Sequence, residues 1–243
     1  MTTEDPLALF ARDTAAAFVD IPSHFMIDGA TYAHGGKLGF EGMDFYVAGR
    51  GGPLGEVSGY VVAAVFFFFN PALITEAWER SAAVLPRTEA GREFASVSHR
   101  WAEEHLPVDV DYARLSALLA PVIGQANPAG APLFAAWREL PEPEPPRSLA
   151  LHRLNVLREL RGAYHESAVM AAGILPRDAV ASHHPFMLLI YGWPPVADGE
   201  VLPAEERDDA DRLTDRLFGR AFSVLNDSER SELRALLESL TVS

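Results

Sequence analysis

The sequence predicts a mainly α protein in two related halves, with strand confined to short hairpins. Apolar residues recur at three- and four-residue steps along most of the chain, the spacing of helices that bury one face. Near the midpoint, "PEPEPPRS" carries Pro141, Pro143, Pro145 and Pro146, a run that neither a helix interior nor a central strand accepts, so the chain divides there into 1–140 and 147–243. With 243 residues, 49% of them hydrophobic and 22% charged, the chain can bury a sizeable core.

Taken in order, Asp5 to Ala17 reads as a short helix, capped weakly around Thr3 with Pro6 in its first turn, an accessory arm to the first half. In "MDFYVAGRGGPLGEVSGYVVAAVFFFFNP" an aromatic segment meets a Gly-Pro turn and then a helix expected to be buried on nearly every face. Asn70 and Pro71 interrupt this apolar run after about ten residues, where a membrane span needs about 20, so it is read as core. "PALITEAWERSAAVL" and "TEAGREFASVSHRWAEEHL" read as helices, the first with Pro71 near its start and the second with Thr88 as cap. A helix over Tyr112 to Ile123 follows. Beyond the prolines come a helix through Leu151–Ser167, a second over "ILPRDAVASHH", the apolar piece "FMLLIYGW", an acidic loop and a C-terminal helical pair, where Asn226 with Glu229 forms a capping box.

A formal charge of -14 opposes phosphate backbones and anionic membranes. Without cysteine there is no disulfide, thiolate site or cysteine nucleophile. The acidic start lacks the positive region and apolar run of a secretory signal, and a cytoplasmic location is expected.

"LHRLNVLRELRGAYHES" places ionisable groups among leucines, although an unpaired buried charge costs several kcal/mol. At about 100° per residue, His152, Asn155 and Glu159 share one stripe while Arg158, Arg161 and His165 share another. Three readings stay open: a structural ion network, a small-molecule pocket and a metal site. The pocket reading assigns His165 or His152 as general base oriented by Glu159, and Arg50, Tyr46, Arg158, Arg161, Phe69, Asn70 and Asn155 to ligand binding. No metal is expected: His152 and Glu159 lack the i, i+4 spacing and "YHESA" lacks the second histidine of a zinc helix. His183 or His184 would revive a haem or metal reading if the fold brought one to His165. "AGRGGPLG" has the composition of an anion loop without a known phosphate-loop spacing, and a tight turn is the better complete explanation, although a turn does not need Arg50. Ser98 and His99, neighbours on a helix, point about 100° apart and make no triad.

"YVAGRGGPLG", "FFNPALITEAW", "ANPAGAPLFAAWRELP" and "LRELRGAYHESAVMAAGI" together resemble an uncharacterised actinobacterial helix-turn-helix family, distantly similar to MarR-type winged-helix regulators. The positions matching its pattern are Arg50, Pro53, Leu54, Gly55, His152, Arg158, Glu159, Arg161, Gly162 and His165. The resemblance implies tandem winged-helix-like halves, and "TDRLFGRAFSVLNDSERSELRALLESL" is similar to MarR-type dimerisation helices, which implies a homodimer. After the second helix the family's wing gives way to "HHPFMLLIYGWPPVADGEVLPAEERDDAD", and Met187 to Trp193 offers no side chain for base edges, so DNA binding is disfavoured. The resulting expectation is a small-molecule-binding protein on a winged-helix-derived scaffold with a pocket between the halves. An acid/base enzyme using the same pocket, cofactor-independent or helped by haem or metal, and a MarR-type regulator are the alternatives. The residues specify no cofactor.

Overall fold

The computed structural model describes residues 5–198, 200 and 202–240. Among them the backbone forms thirteen α-helices and three short 3-10 segments. The expected mainly helical class is found. The expected β-hairpins, and with them the wings of tandem winged-helix halves, are not: no strand occurs among the described residues. The physical reason is visible at "HPFMLLIYGWPP". Pro185, Pro194 and Pro195 remove ladder donors, and the segment closes its own backbone through Tyr191 N–H to Met187 O at 2.9 Å and Trp193 N–H to Leu188 O at 2.8 Å. These local bonds turn the chain instead of extending it.

Helix α1 (Pro6–Asp13) starts at Asp5, whose carboxylate accepts the Leu7 N–H at 3.0 Å; the expected cap at Thr3 lies outside the described residues. The anticipated single helix breaks at Thr14, whose hydroxyl bonds Phe10 O, and α2 (Ala15–Ile27) continues beyond it. Asp28 caps α3 (Gly29–Leu38), and the aromatic segment becomes α4 (Asp44–Gly51). Helix α5 (Gly59–Val65) is not buried all round: Tyr60 is 80% and Val61 46% exposed. Asn70 and Pro71 open α6 (Pro71–Ser81) as expected. In α7 (Arg87–His105) the N-cap is Pro86 and not Thr88, because the extended proline already sets the chain's entry angle. Then come α8 (Tyr112–Gln125), α9 (Pro132–Trp137), the 26-residue α10 (Pro146–Ala171), α11 (Pro176–His183), α12 (Ala204–Gly219) and α13 (Asp227–Glu238). The α13 start is the predicted capping box, with Asn226 and Glu229 each bonding the other's backbone.

Helix α10 is central, packed by α2, α7, α8, α9 and α12. The main apolar cluster draws Phe18, Phe94 and Trp137 from one side of Pro141 and Leu157, Phe218 and Phe222 from the other. The last two are fully buried inside the chain, as is Leu233, whereas Leu213, Leu217 and Leu236 of the C-terminal helices are only partly buried. No helix is long and apolar enough to cross a membrane among the described residues.

Candidate functional site

The site begins with how closely α4 meets α7. A Cβ at Gly49 would lie 2.4 Å from Phe94 Cβ, and one at Gly52 2.2 Å from the Arg87 carbonyl. Gly55, at φ 77° with open space around it, serves the turn, whereas Gly49 and Gly52 serve close packing between helices. Arg50, between them, is 7% exposed and reaches α10. Its Nε donates to Glu159 Oε1 at 2.9 Å and its Nη2 to Oε2 at 2.8 Å, while the guanidinium lies 4.5 Å from the Phe66 ring centroid.

Arg158 adds a second donor to Glu159 Oε1 at 3.0 Å and donates from Nε to Ser23 Oγ at 3.1 Å. Burial pushes the Glu159 carboxyl up, but Arg50 and then Arg158 outweigh it and hold it below the ordinary carboxylate range. Tyr46 Oη stands 3.4 Å from Arg50 Nη1; Phe69 packs on Tyr46 and stacks on Tyr191 with centroids 4.2 Å apart. Arg50, Tyr46, Arg158, Glu159 and Phe69 are thus brought together.

Glu166, missing from the sequence candidates, belongs to the same face of α10. Burial raises its carboxyl to about 8 against the opposing pull of Arg50. Its signal in the sequence was the seven-residue step from Glu159, two helical turns on one side.

The remaining candidates go elsewhere. His152 pairs with His99, Nδ1 to Nε2 at 3.2 Å, and burial pushes both imidazoles down to about 4. Asn155 is fully buried and neither amide atom has a partner among the described residues. Asn70 caps α6 and donates to Gly192 O at 3.0 Å. The proposed orientation of a histidine by Glu159 is not found, since Glu159 is held by two arginines and both His152 and His165 have other partners.

Arg161 and His165 face a separate, partly open cavity of about 560 Å³ lined by residues of α1, α2, α10, α11 and α12. Phe68, Val169, Ile174 and Val180 supply apolar wall, and Tyr191 lines it too, joining this cavity to the Arg50 cluster through Phe69. His165 Nδ1 lies 3.0 Å from Thr214 Oγ1, and Thr214 spends its proton on Ala210 O at 2.8 Å. Nδ1 must therefore donate, which leaves the lone pair on Nε2. Burial and then Arg161 push this imidazole down to about 4, so it is neutral at pH 7. Arg161 approaches Asp215 only to 3.9 Å, and its buried Nε–H has no partner among the described residues. His183 and His184 line the same cavity, yet no group of three or more His, Cys, Asp or Glu able to hold a metal occurs among the described residues.

Helices α10 and α11 meet through a four-residue turn, Ala172 to Leu175, in which Gly173 takes φ 74° and Pro176 opens the second helix. A long helix, a short glycine turn and a second helix thus follow one another over the cavity. A model of a helix-turn-helix family matches residues 11–195, and the chain belongs to that family. No curated protein and no solved structure gives a match.

Proposed function

We propose that the protein binds a small molecule in the cavity beneath α11 and that the α10–turn–α11 pair responds to its occupancy. The observation that carries this reading is a cavity of about 560 Å³ whose wall sets Phe68, Val169, Ile174, Val180 and Tyr191 beside an equal share of charged and histidine side chains, a volume within the usual 300–1,000 Å³ of ligand sites. Ala179, Val180 and His183 of α11 line it, so an occupant touches the second helix of the pair directly. In this reading the Arg50–Glu159–Arg158 cluster is the clamp that fixes α4 to α10, and Tyr191 is shared between clamp and cavity. Native mass spectrometry of the purified protein tests the reading: a small molecule should be retained by the wild type and lost when Val180→Trp fills the space. Retention of the same molecule by a folded Val180→Trp protein sinks it.

Family membership favours a second reading, a DNA-binding regulator using α11. The two are compatible if the ligand changes how α11 is presented. A promoter-fragment shift assay with and without the co-purified molecule separates them.

A further inference from the structure

We infer that α11 is a hinged lid whose opening takes up a proton at His165, so that mild acid uncovers the cavity whether or not anything occupies it.

The lid is set apart by its packing. The chain from Ile174 to Ile190 adds no side chain to the main apolar cluster; Ile174 and Ala179 belong to one satellite cluster, and Val180, Ala181 and Leu188 to another. An element held by satellites can open while the core stays closed. Gly173, at φ 74° with open space around it, joins the lid to α10. Its far end is pinned, since Trp193 Nε1 donates to the Phe68 carbonyl at 2.8 Å and the Asn70 N–H to Tyr191 O at 2.8 Å. Between these points two arginines hold it, Arg207 of α12 on the Ser182 carbonyl and Arg177 of α11 on the Pro195 carbonyl, each at 3.0 Å.

His165 lies beneath this lid and shares the cavity with Ala179 and Val180. Charged and titratable groups reach the same cavity from every element around it: Arg12 of α1, Asp20 of α2, Arg161 of α10, His183 and His184 of α11, Tyr191, and Arg207, Asp211 and Asp215 of α12. Burial and then Arg161 push the imidazole down to about 4 against the pull of Asp211, and His183 of the lid adds to the push. Opening undoes two of these influences, because water reaches the ring and His183 leaves with the lid. The open state therefore binds the proton more readily. With the closed value held below the ordinary 6.5, closure is favoured above about 6.5 and weakens as pH falls from there toward 4. His184, pushed down by burial and then by His183, acts with the same sign.

His152 supplies the contrast. It is depressed to about 4 as well, but it pairs with His99 between α7 and α10, where no lid covers it.

Hydrogen exchange of the full chain, resolved by residue with NMR between pH 4.5 and 7 and corrected for intrinsic rates, tests the lid and its proton together. The amides of Ala179 to His184 should exchange through an opening that leaves those of Leu154 to Leu160 protected. That opening should become more populated below about pH 6.5, by up to about tenfold per pH unit. His165→Phe should abolish this pH dependence and His152→Phe should preserve it. If the α11 amides exchange only together with those of Leu154 to Leu160, there is no lid. If the opening is indifferent to pH, or keeps its slope in a folded His165→Phe protein, His165 does not take up the proton. Should His165→Phe fail to fold, the ring resonances of wild-type His165 decide: titration near pH 4 supports the coupling, and titration near 6.5 overturns it.

Discussion

Arg50 and Glu159, 109 positions apart, meet in a two-bond fork between α4 and α10, almost wholly out of solvent. Taking one member away leaves the other charged and buried, at a cost of about 3–5 kcal/mol. Taking both away with apolar replacements removes both buried charges of the fork and leaves Arg158 its bond to Ser23. Arg50→Met and Glu159→Leu should therefore each destabilise by about that amount, and the double substitution by clearly less than their sum. Urea denaturation of the four proteins measures it, and additivity would show that the fork is not a coupled unit.

Stability should fall on both sides of neutrality for opposite reasons. His99, His152 and His165 have folded pKa values pushed down to about 4 by burial, below the ordinary 6.5. The unfolded chain then binds more protons between about pH 6.5 and 4, and stability present above that window is lost as pH falls through it. Glu166 has the reverse sign: its folded value is raised from 4.5 to about 8, so stability present at low pH is lost as pH rises through that range. Glu166→Gln should flatten the alkaline side and leave the protein more stable than wild type at pH 8, while His152→Phe should soften the acid side. Chemical denaturation across pH 4 to 9 reads both slopes; an unchanged alkaline slope in Glu166→Gln refutes the assignment.

Two glycines predict opposite outcomes for one chemical change. At Gly52 an added methyl meets the Arg87 carbonyl at 2.2 Å and Gly91 N at 2.7 Å, backbone that cannot yield. At Gly162, inside α10, it meets nothing within 4 Å. Gly52→Ala should cost about 3 kcal/mol or more by overpacking, and Gly162→Ala should gain about 0.5–1 kcal/mol from helix propensity. Melting temperatures of the two proteins decide.

Legibility in the sequence followed the range of the forces. The capping box at Asn226 and Glu229 and the helix start at Pro71 are local chemistry, and both were readable. The hairpins were not, because they were inferred by analogy with a wing, whereas the prolines after His184 dictate turns. Tyr60 looked buried because its neighbours are apolar, but only one face of α5 meets α6. On α10 the angular separation of the two polar stripes was visible, while their partners were tertiary facts. Arg50 could have faced either stripe, and only the glycine contact with α7 sends it to Glu159. Glu166 shares its helical phase with Glu159, seven residues before it on α10.

Helix α11, which follows the glycine turn, gives the last prediction. DNA binding at physiological salt rests on cations free to release counterions from phosphates and on side chains free to reach base edges. On α11 the one arginine, Arg177, is consumed within the chain: it donates to Asp178 at 3.0 Å, to the Pro195 carbonyl at 3.0 Å, and to both carboxylate oxygens of Glu200. Its neighbour Asp178 repels phosphate, Ser182 turns its hydroxyl back to the Asp178 carbonyl, and the whole chain carries a formal charge of -14. Affinity for a promoter fragment should accordingly be weaker than about micromolar near 150 mM salt, in the non-specific range. Glu200→Gln, which loosens the grip on Arg177, should strengthen it and steepen its salt dependence by no more than about one phosphate contact. Nanomolar, sequence-specific binding by the wild-type protein in an anisotropy titration would mean that another surface carries the cations, and would make the regulator reading the leading one.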